Sequence, residues 1–390
     1  MNLSQDILSH ALELGFDVAG ITPLARPAHL LAFEQWLAAG YQGEMEYMAA
    51  HADLRADPAR LAPGARSAIV VAANYYPGPS PEQGRMPSSH CSVAGGKGRF
   101  ARYAWPRDYH RVMRRSLHLL DSFIRECSGR QSFGRACVDT APLLERDLAA
   151  QAGLGFIGRH TCLITPGLGS WTFLAALLVP EALEPAMARR PGLRTVSPTA
   201  IKGTCGHCTR CLDACPTRAL VAPYVLDARR CIAYLTIEHR GPIPRQLRPL
   251  MGNWVFGCDI CQEVCPYNRA APRASWPELA PQTARGVLPL LDLLTLDEAT
   301  FRQRFQGTAI LRPRRRGLVR NACVAAGNWG APEAVPALIS LLTDPEPLIR
   351  GHAAWALGRC GGVPARQALA RALSAEPDPW VQEEIREALL

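Results

Sequence analysis

Eight cysteines lie between residues 205 and 265, and their spacing specifies a chemistry. Cys205-Gly-His-Cys208-Thr-Arg-Cys211-Leu-Asp-Ala-Cys215-Pro216 fits C-x2-C-x2-C-x3-C-P without deviation, the run on which bacterial ferredoxins hold iron–sulfur clusters. Three thiolates on one tight loop take three corners of a cubane. The fourth, a helical turn further on and just before proline, points to a second cluster. Cys258-Asp-Ile-Cys261-Gln-Glu-Val-Cys265-Pro266 repeats the pattern without its first member, and Val255 stands where that cysteine would be. Cys231 is the unassigned cysteine nearby and replaces it. Crossed ligation then assigns Cys205, Cys208, Cys211 and Cys265 to one 4Fe–4S cluster, and Cys215, Cys231, Cys258 and Cys261 to the other. A pair of zinc sites is the alternative, but zinc is usually held by two separated C-x2-C pairs. Cys91, Cys127, Cys137, Cys162, Cys323 and Cys360 have no ligand spacing and read as plain thiols.

A chain of 390 residues is too long for one core and implies two or three domains. With 48% hydrophobic and 20% charged residues it is globular and not disordered. No run reaches the roughly 18 apolar residues that span a bilayer, and the N-terminus lacks the basic start and apolar stretch of a signal peptide. A cytoplasmic protein with no membrane partner is therefore expected, and clustered cysteines in a reducing compartment mean metal. The net charge is +9, carried almost wholly by arginine, since only Lys97 and Lys202 are lysine. A GC-rich genome accounts for most of that ratio. The sign still favours a polyanionic partner, and arginine forks suit phosphate.

The elements around the cysteines divide into three parts. Residues 1–195 alternate helical and strand patterns and read as an α/β domain with a mixed sheet. Ile7, Leu8, Ala11 and Leu14 mark a first amphipathic helix. Strands are expected at 16–21, 67–72, 136–138 and 171–178, and helices at 28–39 and 108–127. Pro142 suits the first turn of a helix running to Gln151. Residues 78–98, rich in Pro, Gly and Ser, read as a mobile loop, and 186–202 as a basic connector. Residues 196–300 form a ferredoxin-like domain with the two clusters. Residues 301–390 hold a basic run and then a repeat. Leu318-Val319-Arg320 recurs as Leu348-Ile349-Arg350, Gly327 as Gly358, and Thr343-Asp344-Pro345 as Glu376-Pro377-Asp378-Pro379. A period near 30 with helix pairs and an Asp-Pro turn points to HEAT-like α-helical repeats.

Several further motifs carry a family resemblance. They are Arg102-Tyr103-Ala104-Trp105 with Arg107-Asp108-Tyr109-His110; Val138-Asp139-Thr140-Ala141-Pro142 with Leu144-Glu145-Arg146; Ala152-Gly153-Leu154-Gly155 with Gly158; and Tyr234-Leu235-Thr236-Ile237-Glu238-His239-Arg240-Gly241. With both cysteine runs, the chain resembles the epoxyqueuosine reductases of queuosine tRNA modification along nearly its whole length. The resemblance implies an N-terminal cobalamin-binding domain similar to that of reductive dehalogenases. It also implies electrons passing through the clusters to cobalt, and removal of the epoxide oxygen from the modified base at the tRNA wobble position. An electron donor is then needed as a partner, besides tRNA carrying epoxyqueuosine.

The resemblance places the proton donor on Asp139. Losing an epoxide oxygen as water takes two electrons and two protons, and a carboxylic acid kept partly protonated in an apolar site can supply one. On sequence alone, a helix cap ahead of Pro142 is the favoured reading of Asp139; the resemblance turns it to catalysis. The cobalamin contacts expected with it are Arg102, Tyr103, His160, Thr161 and Gln262; a surface role is the alternative for His160. Asp108-x-His110-x-x-Met113 is similar to the D-x-H-x-x-G motif that supplies a histidine to cobalt, but Met113 replaces glycine, so His110 reads as structural. Arg314, Arg315 and Arg316 are expected to meet tRNA phosphate, with Arg240, Arg245 and Arg320 as further candidates. Two rival functions remain: an electron carrier with a docking array, which leaves the first 195 residues without a role, and a dehalogenase-like reductase of a small molecule, which leaves the repeats without one.

Overall fold

The computed structural model describes residues 2–78, 95–193, 204–280 and 282–390. Cys91, Lys202, most of the loop expected at 78–98 and the end of the connector expected at 186–202 lie outside the described residues.

The N-terminal domain is built on a five-stranded sheet in the order Arg135–Cys137, Thr172–Val179, Ser67–Asn74, Val18–Pro23, Ala186–Arg189. Every neighbouring pair is antiparallel, which corrects the mixed sheet expected from the sequence. The misleading signal is the unbroken apolar run of Ser67–Asn74, which is buried at every position. Such runs are typical of parallel strands covered on both faces. Here the double cover is real and the pairing is antiparallel. Ile69, Val71 and Ala73 pack with Ile7, Leu8 and Ala11 of the first helix and with Met113, Leu117 and Leu120 of the helix Tyr109–Ser128. Ala68, Val70 and Ala72 face Leu148 and Ala149 of the helix Glu145–Gln151. The alternation follows from the period of two along a strand, and each fully buried leucine or methionine contributes about 1.5–3 kcal/mol. The start of the expected connector, Ala186–Arg189, is the sheet's edge strand.

A second sheet joins distant parts of the chain. Lys97–Phe100 pairs in parallel with Trp254–Phe256 and antiparallel with Val287–Pro289. Residues 97–105 therefore leave the first domain in space while still within its sequence limits, and Phe100, Ala104 and Trp105 share a core with the C-terminal helices. Val255 belongs to this sheet and is fully buried, so the place of a first cysteine in the second run is occupied by a core position.

The C-terminal helices Arg314–Trp329, Val335–Ser340, Pro347–Cys360, Val363–Ala375 and Pro379–Leu389 stack as repeats. The recurring glycines have one physical reason. A Cβ on Gly327 would lie 2.5 Å from Trp355, and one on Gly358 2.9 Å from Ala388, so both mark close helix crossings. The Asp-Pro turns start helices: Asp378 accepts hydrogen bonds from the Trp380 and Val381 amides ahead of Pro379–Leu389. Among the described residues no helix is long and apolar enough to cross a membrane.

Candidate active site

Asp139 follows the short strand Arg135–Cys137 and has a φ of +56°, a left-handed conformation that aspartate tolerates better than most residues. The chain then turns tightly, with the Thr140 N–H donating to Val138 C=O at 2.6 Å. The helix starts only at Glu145, so Pro142 is not in its first turn. Asp139 does not cap that helix either. Its Oδ2 accepts the Tyr109 hydroxyl at 2.9 Å and lies 3.3 Å from His110 Nε2. Both partners stand in the first turn of Tyr109–Ser128, which Asp108 caps by accepting the His110 N–H at 3.0 Å. Asp108 Oδ1 also meets His110 Nδ1 at 2.7 Å, and the Tyr109 ring is stacked on Phe173 at 4.2 Å. The imidazole is thus held between two carboxylates.

This arrangement sets the protonation states. Burial works against a charged His110, but the hydrogen bonds and charges of Asp108 and Asp139 outweigh it and raise the imidazole to about 9. Burial also works against the Asp139 carboxylate, yet bonds from His110 and Tyr109 and the charges of His110 and Arg312 hold it below the usual range. Glu145 goes the other way: burial, then the nearby Asp139 charge, raise it to about 8. At neutral pH Asp139 is ionised, while His110 and Glu145 carry protons. That balance favours an Asp139 carboxylate over the partly protonated acid expected from the sequence. The proton available to it sits on His110, one hydrogen bond away.

Asp139, His110 and Glu145 open on a cavity of about 1870 Å³, whose wall also includes Tyr103, Thr161 and Arg312. Ordinary small-molecule sites occupy roughly 300–1,000 Å³, so there is room for a large cofactor together with part of a substrate. Phe33, Trp36, Tyr41 and Tyr47 give it an aromatic side.

The remaining expected cofactor contacts are not among the residues that line this cavity. Arg102 is buried, donates to Asp259 at 3.1 Å and to Glu263 at 2.7 Å, and lies over the Trp171 ring. Gln262 accepts the Ser170 hydroxyl at 2.9 Å. His160 is 3% exposed; its Nδ1 accepts the Cys162 amide at 3.1 Å, and its Nε2 has no partner among the described residues. Of the six residues expected to touch cofactor, Tyr103, Asp139 and Thr161 line the cavity.

Seen from Cys211, Tyr267, Cys258 and Cys261, the cluster cysteines lie in two groups. Burial together with Cys205 and Cys265 pushes Cys211 up to about 11, and Tyr267 senses Cys205, Cys265 and Cys208. Burial raises Cys258 and Cys261, with Cys231 and Cys215 adding to both. Amides point at the sulfurs, Arg159 N–H at Cys205 Sγ (3.3 Å) and Ala219 N–H at Cys215 Sγ (3.2 Å). Among the described residues no three His, Cys, Asp or Glu converge as they would around a single ion; a cubane needs its thiolates spread to its corners. Cys162, which spacing alone left as a plain thiol, adjoins the second group, for it acts on Cys261 and Cys231. Its neighbour Thr161 lines the cavity, so that group stands next to the cavity wall.

The arginines separate into structural and available ones. Arg320 is fully buried and donates to the carbonyls of Leu235, His239 and Gly241; it cannot reach phosphate, which corrects its place among the tRNA contacts. Arg315 is spent on Asp344 and the Leu296 carbonyl, and Arg245 pairs with Glu384 and Glu387. Arg314 is exposed and Arg316 is 40% exposed. Arg316 donates to the Arg240 carbonyl at 2.9 Å, and Arg240 senses Arg312, Arg314 and Arg316 together. These four make a basic cluster at the edge of the cavity that Arg312 lines, within which Arg312 holds Glu238 in a two-pronged pair (2.9 and 2.8 Å) and Arg316 lies 3.7 Å from Glu346. Nothing in the sequence marks Arg312, which stands outside the Arg314–Arg316 run, beyond Pro313.

Known proteins agree with this layout. Residues 55–140 match the family described as epoxyqueuosine reductase QueG, residues 204–268 a 4Fe-4S double cluster binding domain, and residues 309–390 HEAT repeats. The epoxyqueuosine reductase of Pseudomonas aeruginosa is 41% identical, over 92% of this chain and 95% of its own. That of Escherichia coli is 37% identical, over 92% and 89%. A crystal structure of epoxyqueuosine reductase with an epoxyqueuosine-modified tRNA stem loop matches with a TM-score of 0.86 at 30% identity, covering 99% of this chain and 98% of that one. With likeness of this extent along all three parts, the chain belongs to the epoxyqueuosine reductase family.

Proposed function

We propose that this protein reduces epoxyqueuosine to queuosine at the tRNA wobble position, with cobalamin in the cavity and two 4Fe–4S clusters on the cysteine groups described above. The observation that carries the reading is the position of Asp139. It faces a cavity large enough for cofactor and base, with a protonated histidine beside it, and the wall of that cavity adjoins the second cysteine group. Tyr103 and Thr161 would hold the cofactor; both ring nitrogens of His110 are engaged by carboxylates, which supports cobalamin without a protein histidine on cobalt. Bound there, cobalamin supplies the low-potential electron pair. The chain's own residues supply the rest. Opening the epoxide and losing its oxygen as water consumes two electrons and two protons; one proton passes from His110 through the Asp139 carboxylate to the leaving oxygen, and water entering the open cavity supplies the other. Arg240, Arg312, Arg314 and Arg316 fit the phosphates of the anticodon stem loop at the cavity edge. An electron carrier would need neither the cavity nor this proton relay, so the carrier reading is set aside.

Asp139→Asn tests the proposal. Asparagine keeps the size but cannot relay a proton. Conversion of epoxyqueuosine in tRNA should fall by about 10²–10⁴, the usual worth of a positioned acid, while iron content and cofactor reduction remain. Near-normal conversion would remove Asp139 from the mechanism.

A further inference from the structure

We propose that Glu145 is the positioning residue of the active site: its carboxyl holds the backbone of Asp139 and so keeps the Asp139 side chain over the cavity. The inference rests on the catalytic role of Asp139 proposed above. The Asp139 N–H donates to Glu145 Oε1 at 2.7 Å. Asp139 needs such a tether, because its φ of +56° is unfavourable for a side chain with a Cβ. The other backbone bonds of the turn among the described residues, Thr140 N–H to Val138 C=O and Leu143 N–H to Ala141 C=O, close small rings inside it. Glu145 itself is fixed, since it opens the helix Glu145–Gln151, whose Leu148 and Ala149 are packed on the central sheet. The backbone of the turn is therefore fastened to the helix Glu145–Gln151 through that carboxyl, while Tyr109 and His110 hold the Asp139 side chain from the other side and Leu143 packs in the core.

Chemistry explains why that carboxyl is a glutamic acid. Burial keeps it neutral at pH 7, so it accepts the amide without setting a second negative charge beside the Asp139 carboxylate. Tyr47, Tyr103, Tyr109, His110, Arg146 and Arg312 are the other polar groups facing the pair. A glutamine would offer the same acceptor at the same reach. An aspartate keeps the acid but is one methylene too short.

The experiment compares Glu145→Gln, Glu145→Asp and Glu145→Ala in anaerobic holoprotein with both clusters in place. Glutamine is expected to retain near-normal turnover. Aspartate and alanine are expected to lower kcat by about 10²-fold with little change in KM for tRNA, as misplacement of a reacting group by about 1 Å does. Amide hydrogen exchange at Asp139 and Thr140, which needs no turnover, should quicken in Asp and Ala variants and stay slow in Gln. The opposite order, aspartate active and glutamine inactive, would make Glu145 a proton donor and overturn the positioning role, as would unchanged exchange in Glu145→Ala. In an Asp139→Asn background Glu145→Ala should cost nothing further in rate; an undiminished loss there would show that Glu145 acts otherwise than through Asp139. If Asp139→Asn alone is active, the catalytic reading fails, while the exchange data still decide whether Glu145 tethers the turn. Should the alanine variant not fold, the glutamine and aspartate pair suffices.

Discussion

The cavity and the repeat array both keep ionised groups out of water, and they do it in opposite ways. In and against the repeats, guanidiniums kept from water are closed off by carboxylates, or, for Arg320, by backbone carbonyls. Arg248 forms a two-pronged pair with Glu384 (2.8 and 2.7 Å), Arg350 one with Glu376 (2.8 and 2.6 Å), and Arg315 is paired with Asp344. These pairs fix shape and register. Around Asp139 the groups are a carboxylate, an imidazole, a phenol and a carboxylic acid, which share protons and face open space. Charges that only hold a structure are matched and closed; charges that act are left in exchange with one another.

The largest effect expected from this contrast is in the array. Arg248→Ala leaves Glu384 buried with only the longer contact from Arg245, and should cost about 3–5 kcal/mol of stability. Anaerobic thermal unfolding measures it. Turnover per folded molecule should be unchanged, and a loss of turnover with stability intact would dissolve the distinction between the two regions.

A smaller effect, in pH dependence, belongs to the cavity. His110 is raised from 6.5 to about 9 in the folded protein and Glu145 from 4.5 to about 8. The folded state therefore binds more protons than the unfolded state across that range. Stability must fall as pH rises, for His110 between about 6.5 and 9 and for Glu145 between about 4.5 and 8. The double variant His110→Gln, Glu145→Gln should flatten the fall of melting temperature between pH 6 and 9. Arg350→Ala should lower the curve without changing its slope. Equal slopes in wild type and the cavity double variant would refute the shared-proton account.

The smallest effect lies where the two regions meet. Arg314→Glu with Arg316→Glu should weaken tRNA binding and flatten the slope of log affinity against log salt by roughly 0.7–0.9 for each phosphate that is no longer neutralised. Arg315→Glu, whose native side chain is already committed to Asp344, should weaken folding more than it changes the salt slope.

What the sequence revealed depended on how local the information was. The cysteine runs are contained within a few turns of chain, and the helices at 3–13 and 109–128 within their own periodicity. Asp139 stood out through its flanking motif. Glu145 and His110 could be quoted as motif residues, but their roles could not be read, because each depends on a turn that folds back six residues and on a helix thirty residues upstream. Strand direction failed for a similar reason: burial on both faces is written in one strand, pairing direction only in its neighbours. Arg314, Arg315, Arg316 and Arg320 look alike as letters. Helical rotation sends Arg320 into the core and Arg315 to Asp344, leaving Arg314 and Arg316 outside.

The strand Lys97–Phe100 bears on how the protein is made. During synthesis it emerges long before either of its partners, Trp254–Phe256 and Val287–Pro289. Pairings this distant in sequence form slowly, because loop closure must come before any contact repays it. All eight cluster cysteines leave the ribosome inside that interval, before residue 289 can complete the three-stranded sheet. Iron and sulfide can therefore reach the thiols while the layer behind them is still incomplete. A nascent chain halted between residues 265 and 287 would present every ligand together with an unpaired strand edge, the combination most in need of chaperone cover.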